Sequence, residues 1–458
     1  MILELLKSGN IKDAYTLLVA GVKQKVDEYA KEYDNDRSIR DGQVGKRKNK
    51  SDGTKVSKIP IPFQRKVVND AVAFLFGSPV NKIPSEENEA SKEITDLWKS
   101  CRMDNMLMDF CEAVKSETEA TIIFYNKQKE DKTTVIKSRL LTQENGKVYP
   151  YFDEYGDLMA FGWEFETKDE EGKDISKMIV FTSDTKYTYA KSKKDWEEET
   201  KEINPFKKIP IVYLSQKEPE WFLVKELMDR FELNFSKFCD TNDYFSAPML
   251  IAEGNISGAD GNEKLIDKDE SGKMLNVEIV ETKNGNIVKG GAKYLTWEHA
   301  PEATKLEFET EKDLIYGLTS TPNLTIEAVK GIGQIANAGV TLMFLAPILK
   351  AKRSEGNYRT AIDRIINVMI SGLINTTKTS NKAKLEELTF EVNFTSVLPD
   401  NIKEIVETLM EANGGQPIMS QETATAHNPL VKDAKKEIEK INQEATKKAT
   451  QEISEPTL

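Results

Sequence analysis

The chain has 458 residues, 39% of them hydrophobic and 31% charged, and a formal net charge of −12. That length exceeds one core and suits roughly two to four domains. The charge leaves general adhesion to nucleic acid unencoded, and a mean hydropathy of −0.52 argues against an integral membrane protein.

Residues 1–33 read as helical, with Leu5, Ala14, Leu17, Leu18, Val22 and Val26 on one side. Glu4 interrupts the first short apolar run, so it does not read as a signal peptide. From Arg37 to Lys66 there are ten Lys/Arg and two Asp, a basic loop that could bind phosphates or complement an acidic neighbour in an oligomer. Ile59-Pro-Ile-Pro-Phe63 is extended, because each proline disfavours helix at the residue before it. A helix over Phe63–Phe76 follows, stopped at Gly77, and a second helical stretch covers about Asn88 to Ser116.

The period then changes. Between 119 and 215, short β-branched and aromatic runs such as Ala120-Thr-Ile-Ile-Phe-Tyr and Lys177-Met-Ile-Val-Phe alternate with turn signals, which predicts an antiparallel β meander. Pro219 is expected at the first position of a helix running to about Asp240. Residues 246–299 return to strand and loop, with Asn284-Gly285 as a hairpin signal between Val277-Glu-Ile-Val and Ile287-Val. A helix restarts at Pro301, so a small β module hangs from two helices.

Ser320-Thr-Pro-Asn-Leu breaks that helix and leads to a glycine-rich loop, Lys330-Gly-Ile-Gly-Gln. An amphipathic pattern then extends from about Ala336 to Leu373, and Pro347 is expected to kink it. Residues 331–349 carry no charge, but three glycines, a proline, Gln334, Asn337 and Thr341 make a buried helix the better reading than a membrane span. Thr389-Phe-Glu-Val-Asn-Phe reads as a strand. Helices are expected over Ile402–Ala412 and again after Asn428-Pro429, before a polar tail.

Little in the chain suits catalysis. With two histidines, His299 and His427, most histidine metal sites are removed; Cys101, Cys111 and Cys239 show no C-x-x-C spacing and read as reduced thiols. No G-x-S-x-G, H-E-x-x-H or P-loop occurs, and the carboxylates fall in helical charge runs. Gly331-Ile-Gly333-Gln-Ile-Ala336 fits the dinucleotide fingerprint G-x-G-x-x-A, which leaves a nucleotide- or phosphate-binding enzyme as the alternative reading. The fingerprint needs a preceding strand and a βαβ unit, and neither is predicted. We read the chain as a non-enzyme with no metal or cofactor. A loop between two helices, the second long, is the geometry of a ring-shaped channel to which each subunit offers one loop.

At this point the residues resemble the portal proteins of tailed bacteriophages, the head-to-tail connectors. The N-terminal marker is Pro62-Phe-Gln-Arg-Lys-Val-Val-Asn-Asp-Ala-Val-Ala-Phe-Leu-Phe-Gly-Ser-Pro79. The C-terminal one is Asn393-Phe-Thr-Ser-Val-Leu-Pro-Asp-Asn followed by a helix, Gly-Gly and Ile418-Met-Ser-Gln-Glu-Thr. The resemblance implies an α+β subunit with several parts: a mixed wing (1–218), stem helices at 219–245 and 300–319, a β clip at 246–299, a tunnel loop at 320–336, a long kinked helix and wing strand at 337–397, and a helical crown at 398–458. It also implies a homo-oligomeric ring, usually of twelve subunits, at one vertex of the virion capsid among major capsid and scaffold proteins, made in the bacterial host cytoplasm. Double-stranded DNA would pass through it during packaging and ejection. The terminase large subunit and head–tail adaptor proteins would dock on it, with no membrane involved. Lys330, Gly331, Gly333 and Gln334 would then face DNA.

Overall fold

The computed structural model describes residues 2–22, 25–34, 46–49, 55–130, 133–168, 172–192, 195–246, 301–323, 343–395 and 437–442, the strand backbones between 249 and 295, and Ser420 and Thr425. The chain divides into two units, 1–397 and 398–458. In the second, residues 437–442 are helical; the helix expected at 402–412 lies outside the described residues.

The first unit opens with three short helices, α1 (Ile2–Lys7), α2 (Ile11–Ala20) and α3 (Val26–Tyr33). Asn10 caps α2 by accepting from the Asp13 amide. Next come α4 (Phe63–Phe76), a strand that the sequence reading did not find, β1 (Asn81–Pro84), and α5 (Glu89–Ser100). A reciprocal capping box between Asn88 and Ser91 starts α5. Left-handed Arg102 separates it from α6 (Met103–Glu117), which ends on left-handed Thr118.

Strands β2 (Glu119–Gln128) and β3 (Thr134–Leu141) follow, then β4 (Lys147–Phe152), β5 (Leu158–Lys168), β6 (Asp174–Phe181), β7 (Thr185–Ser192), β8 (Asp195–Ile203) and β9 (Ile211–Ser215). The expected meander is real for five of them: β4 to β8 pair in sequence order, all antiparallel. The other three form a separate sheet of order β3-β2-β9. Gly146 starts β4 at φ +114, where a Cβ would meet the Glu164 carbonyl oxygen at 2.1 Å, so the turn demands glycine.

After β9 come α7 (Lys225–Ser246), the strands β10 (Met249–Glu253), β11 (Ile256–Ser257), β12 (Asn276–Val277), β13 (Val280–Glu281), β14 (Ile287–Val288) and β15 (Gly291–Leu295), and then α8 (Pro301–Thr319). The first unit closes with α9 (Leu345–Thr376), α10 (Lys382–Glu387) and β16 (Phe390–Asn393), the last paired antiparallel with β1.

Alternation along the strands sorts the apolar side chains into three cores. The largest packs α4, α5, α6 and α9 against one face of the three-stranded sheet, through Ala120, Ile122 and Phe124 of β2. The opposite face of that sheet, with Ile123 and Leu141, meets Val148, Phe161 and Phe181 of the five-stranded sheet. The far face of the five-stranded sheet, with Tyr149, Ala160, Met178 and Val180, is covered by Ile2, Leu6, Ala14 and Leu18 of α1 and α2. The order is therefore helices, sheet, sheet, helices. Being covered on both faces, β2 is buried continuously from Glu119 to Phe124. In α9, Tyr358, Ile362, Ile365 and Met369 recur at spacings of three and four and are buried as the pattern predicted.

One expectation changes, and a second is met only in part by the described residues. Pro219 does not begin an α-helix. It opens a turn in which the Phe222 amide donates to the Pro219 carbonyl, a 3-10 turn covers Phe222–Val224, and α7 starts at Lys225. Pro347 is the third residue of α9, with Phe344 as its N-cap. Amides of the first turn have no intrahelical acceptor, so Pro347 removes no bond within α9; Met343 is helical and Phe344 a turn residue, so the helical run breaks just ahead of Pro347. The stretch expected to precede it, 336–342, lies outside the described residues.

Candidate functional site

The helices α7 and α8 run between the layered body and the β module. Phe308 of α8 is ringed by Phe231, Phe235 and Phe238 of α7, with centroids at 5.4, 6.1 and 5.8 Å. Beside this seam Arg230 donates to Glu307 at 2.8 Å, and the Asn234 amide reaches Glu307 at 2.7 Å and Glu311 at 3.0 Å. The seam thus has an aromatic stripe and a polar stripe at helical spacing. Glu311 rises above the usual carboxylate range because burial, reinforced by Glu307, outweighs Arg230.

At the outer end of the pair, β10 and β15 pair antiparallel, joining the end of α7 to the segment before α8. Within the module β13 and β14 pair antiparallel, and the predicted turn residues Asn284 and Gly285 fall in the connection between them. That connection lies outside the described residues, as do Lys330, Gly331, Gly333 and Gln334.

At the inner end sits a buried charge cluster. Glu220 accepts from Lys115 of α6 at 3.0 Å and from Lys350 of α9 at 2.6 Å. Lys350 also donates to the Thr319 carbonyl at 2.6 Å, one of the carbonyls that the end of α8 leaves without an intrahelical donor. Left-handed Ser320 completes that terminus, letting the Thr321 amide reach back to the Tyr316 carbonyl. The last turn of α8 and the first turns of α9 are thereby bonded to one another and to the body, on both sides of segment 324–342. Burial alone would raise Glu220, but the two lysines outweigh it and hold its carboxyl below the ordinary value. Burial pushes the Lys350 ammonium down despite Glu220.

Residues 55–62 of the basic stretch also have a definite place. Glu232, Ser236 and Asp240, one turn apart on α7, accept the amides of Ile61, Ile59 and Ser57 at 3.0, 3.1 and 2.7 Å. Alternate residues of an extended strand advance about 6.6 Å, and four residues of helix about 6 Å, so the two ladders stay in register. Arg47 donates to Asp240 at 2.6 Å and fastens the far end. Residues 55–62 are therefore a strap laid along α7. Proline at positions 60 and 62 costs it nothing, since the amides used are those of 57, 59 and 61. The polar stripe at 232, 236 and 240 was the sequence signal for this contact, and the sequence reading missed it.

Among the described residues no cluster of His, Cys, Asp and Glu is placed to hold a metal, and no helix is long and apolar enough to cross a membrane.

What the geometry defines is an α+β subunit: a layered body with a helix pair that carries a small β module. A family model described as phage portal protein, SPP1 Gp6-like, matches residues 22–451, and the chain belongs to that family. The solved structures similar to it include a chain of the virion of a native gene transfer agent particle, at 10% identity and TM-score 0.36. Another is a chain from the neck of an empty particle of that agent computed with C6 symmetry, at 11% identity and TM-score 0.30. Each match covers 79% of this chain and 87% of the other. No curated protein matches the chain.

Proposed function

We propose that this portal-family chain is a non-enzymatic subunit of a ring, usually of twelve copies, set at one capsid vertex. The ring is the conduit for double-stranded DNA during packaging and ejection. It is also the platform on which the terminase large subunit and, later, head–tail adaptors dock, alongside the major capsid and scaffold proteins. The observation that carries this reading is the family match across 22–451. In this reading the layered body is the wing, α7 and α8 are the stem, the β module is the clip, 320–336 is the tunnel loop and 398–458 is the crown.

The exposed leucines of α8 support assembly. Leu306, Leu314 and Leu318 are 65%, 47% and 62% exposed in the single subunit, and a neighbouring copy would cover them. ATP hydrolysis would belong to the terminase, in keeping with the missing P-loop.

Lys330 is the basic residue of the loop between Pro322 and Ala336, and one per subunit would place a positive belt in the channel. Gly331 and Gly333 leave the loop free to change conformation as DNA passes. The test pairs Lys330→Ala with a Gly331→Pro, Gly333→Pro variant and scores rings by electron microscopy, packaging and DNA retention. The proline pair is expected to form rings but block packaging, and Lys330→Ala to lose retention. Wild-type packaging and retention by the proline pair would sink the mobile-loop mechanism. Particles without a central hole under every assembly condition would sink the portal reading.

A further inference from the structure

The helix pair has two outer edges of opposite charge. By the 3.6-residue period, the α7 residues that hold the strap (Glu232, Ser236, Asp240) lie on the side opposite those that face α8 (Arg230, Asn234, Phe235). The order across this region is therefore strap, α7, α8. From residue 46 to 58 the chain has six Lys/Arg and one Asp. Lys46, Lys48, Lys55 and Lys58 are exposed, while Arg47 is held inward by Asp240.

On α8 the same period sets Glu302, Leu306, Glu309 and Asp313 on the side away from α7, and all four are exposed. Glu309 has a loose contact with Lys305 at 3.9 Å, and Asp313 accepts from Asn323 at 3.4 Å. Neither contact hides the carboxylate. One edge of the helix pair is thus basic and the other acidic with a leucine in its middle.

Two such edges on opposite sides of one subunit cannot satisfy each other within a chain. They can across a head-to-tail contact, and a heterologous contact repeated by rotation closes a ring. We propose that the basic strap of one subunit docks on the acidic Glu302–Asp313 face of α8 in the next. The proposal rests on the ring reading above and names the faces that meet. Complementary charge sets the register, and Leu306 supplies apolar area at the centre of the contact. The strap then serves to carry positive charge to the outside of α7, held by backbone bonds, with Lys48 and Lys55 exposed for a neighbour to meet.

The test uses full-length chain and two charge-reversed faces, Lys48→Glu with Lys55→Glu, and Glu309→Lys with Asp313→Lys. Ring formation is read by light scattering against protein concentration, and folding by circular dichroism. Each reversed face is expected to stay folded while its assembly midpoint rises by about tenfold or more. All four changes in one chain should return the midpoint toward wild type. If a reversed face unfolds, the neutral Lys48→Gln, Lys55→Gln or Glu309→Gln, Asp313→Asn pair is read in its place. Reversed faces that assemble like wild type, or a quadruple variant no better than either pair, overturn the contact and leave the ring reading standing. A strap variant that forms rings normally but loses binding to a duplex DNA fragment also overturns it, because the strap would then face DNA. Wild-type chain that never forms rings removes the ring reading, and the contact with it.

Discussion

Glu220 joins parts of the chain far apart in sequence. Its partners are 105 and 130 residues away, on α6 and α9, and the default reading of such charges in a sequence is a solvated face. Lys115 reads as such a residue until the fold closes over it, leaving its side chain 4% exposed. Removing the carboxylate leaves two ammonium groups facing each other in a dry place. Glu220→Gln is expected to lower unfolding stability by about 3 kcal/mol in a denaturant titration, and a midpoint equal to wild type would show that the cluster is hydrated. Glu117 behaves in the opposite sense. Burial raises its carboxyl from 4.5 to about 7, against the Gln143 amide that donates to it at 2.8 Å. The proton is thus held more tightly in the folded chain, so the stability it lends is fully present below about 4.5 and is lost as pH rises through about 7. Relative to Glu117→Gln, wild type should lose stability across that window as pH climbs. Parallel stability–pH curves for the two proteins would contradict this.

Among the elements, α9 was the most legible, because a buried amphipathic helix repeats its apolar residues whatever it packs on. Its close approach to the sheet was not legible. A Cβ at Gly372 would lie 2.7 Å from Phe206 and 2.8 Å from Ile136, so the glycine lets the helix settle on residues that no local pattern connects to it. Gly372→Val is expected to cost about 2 kcal/mol by overpacking, read as a lower melting temperature; a neutral result would mean that the helix can shift without loss. The strand pair β1–β16 was half legible. The Thr389–Phe394 run carries alternation, but four-residue β1, with two lysine- or asparagine-bearing positions and a proline, becomes a strand because β16 pairs with it. Pro219 shows the limit of proline as a signal: it marks a place near a helix start, and the tertiary setting decides which residue begins the helix.

At the scale of the molecule, the β module is carried between α7 and α8. In the portal reading it is the docking surface for the terminase and adaptors. Deleting residues 255–290 is expected to leave rings intact by electron microscopy and to abolish packaging; packaging at the wild-type level by the deleted chain would remove the docking role. The sequence by itself determined the period changes that separate helices from sheets, the hairpin on either side of Asn284-Gly285, the two helices flanking the module, and the order of motifs that places the chain in its family. These are local, since a hydrophobic period or a turn residue acts within a few neighbours. Only the tertiary structure decided that the eight strands from 119 to 215 divide into two sheets back to back, that a basic loop becomes a strap on α7, and that Glu220 bonds the body to both helix ends. The strap and Glu220 contacts join residues more than a hundred positions apart, and β2 pairs with β9 across nearly as long a stretch. They follow from which buried surfaces and charges must find partners once the chain closes; the polar stripe on α7 shows that a partner is needed, but no local pattern says which one.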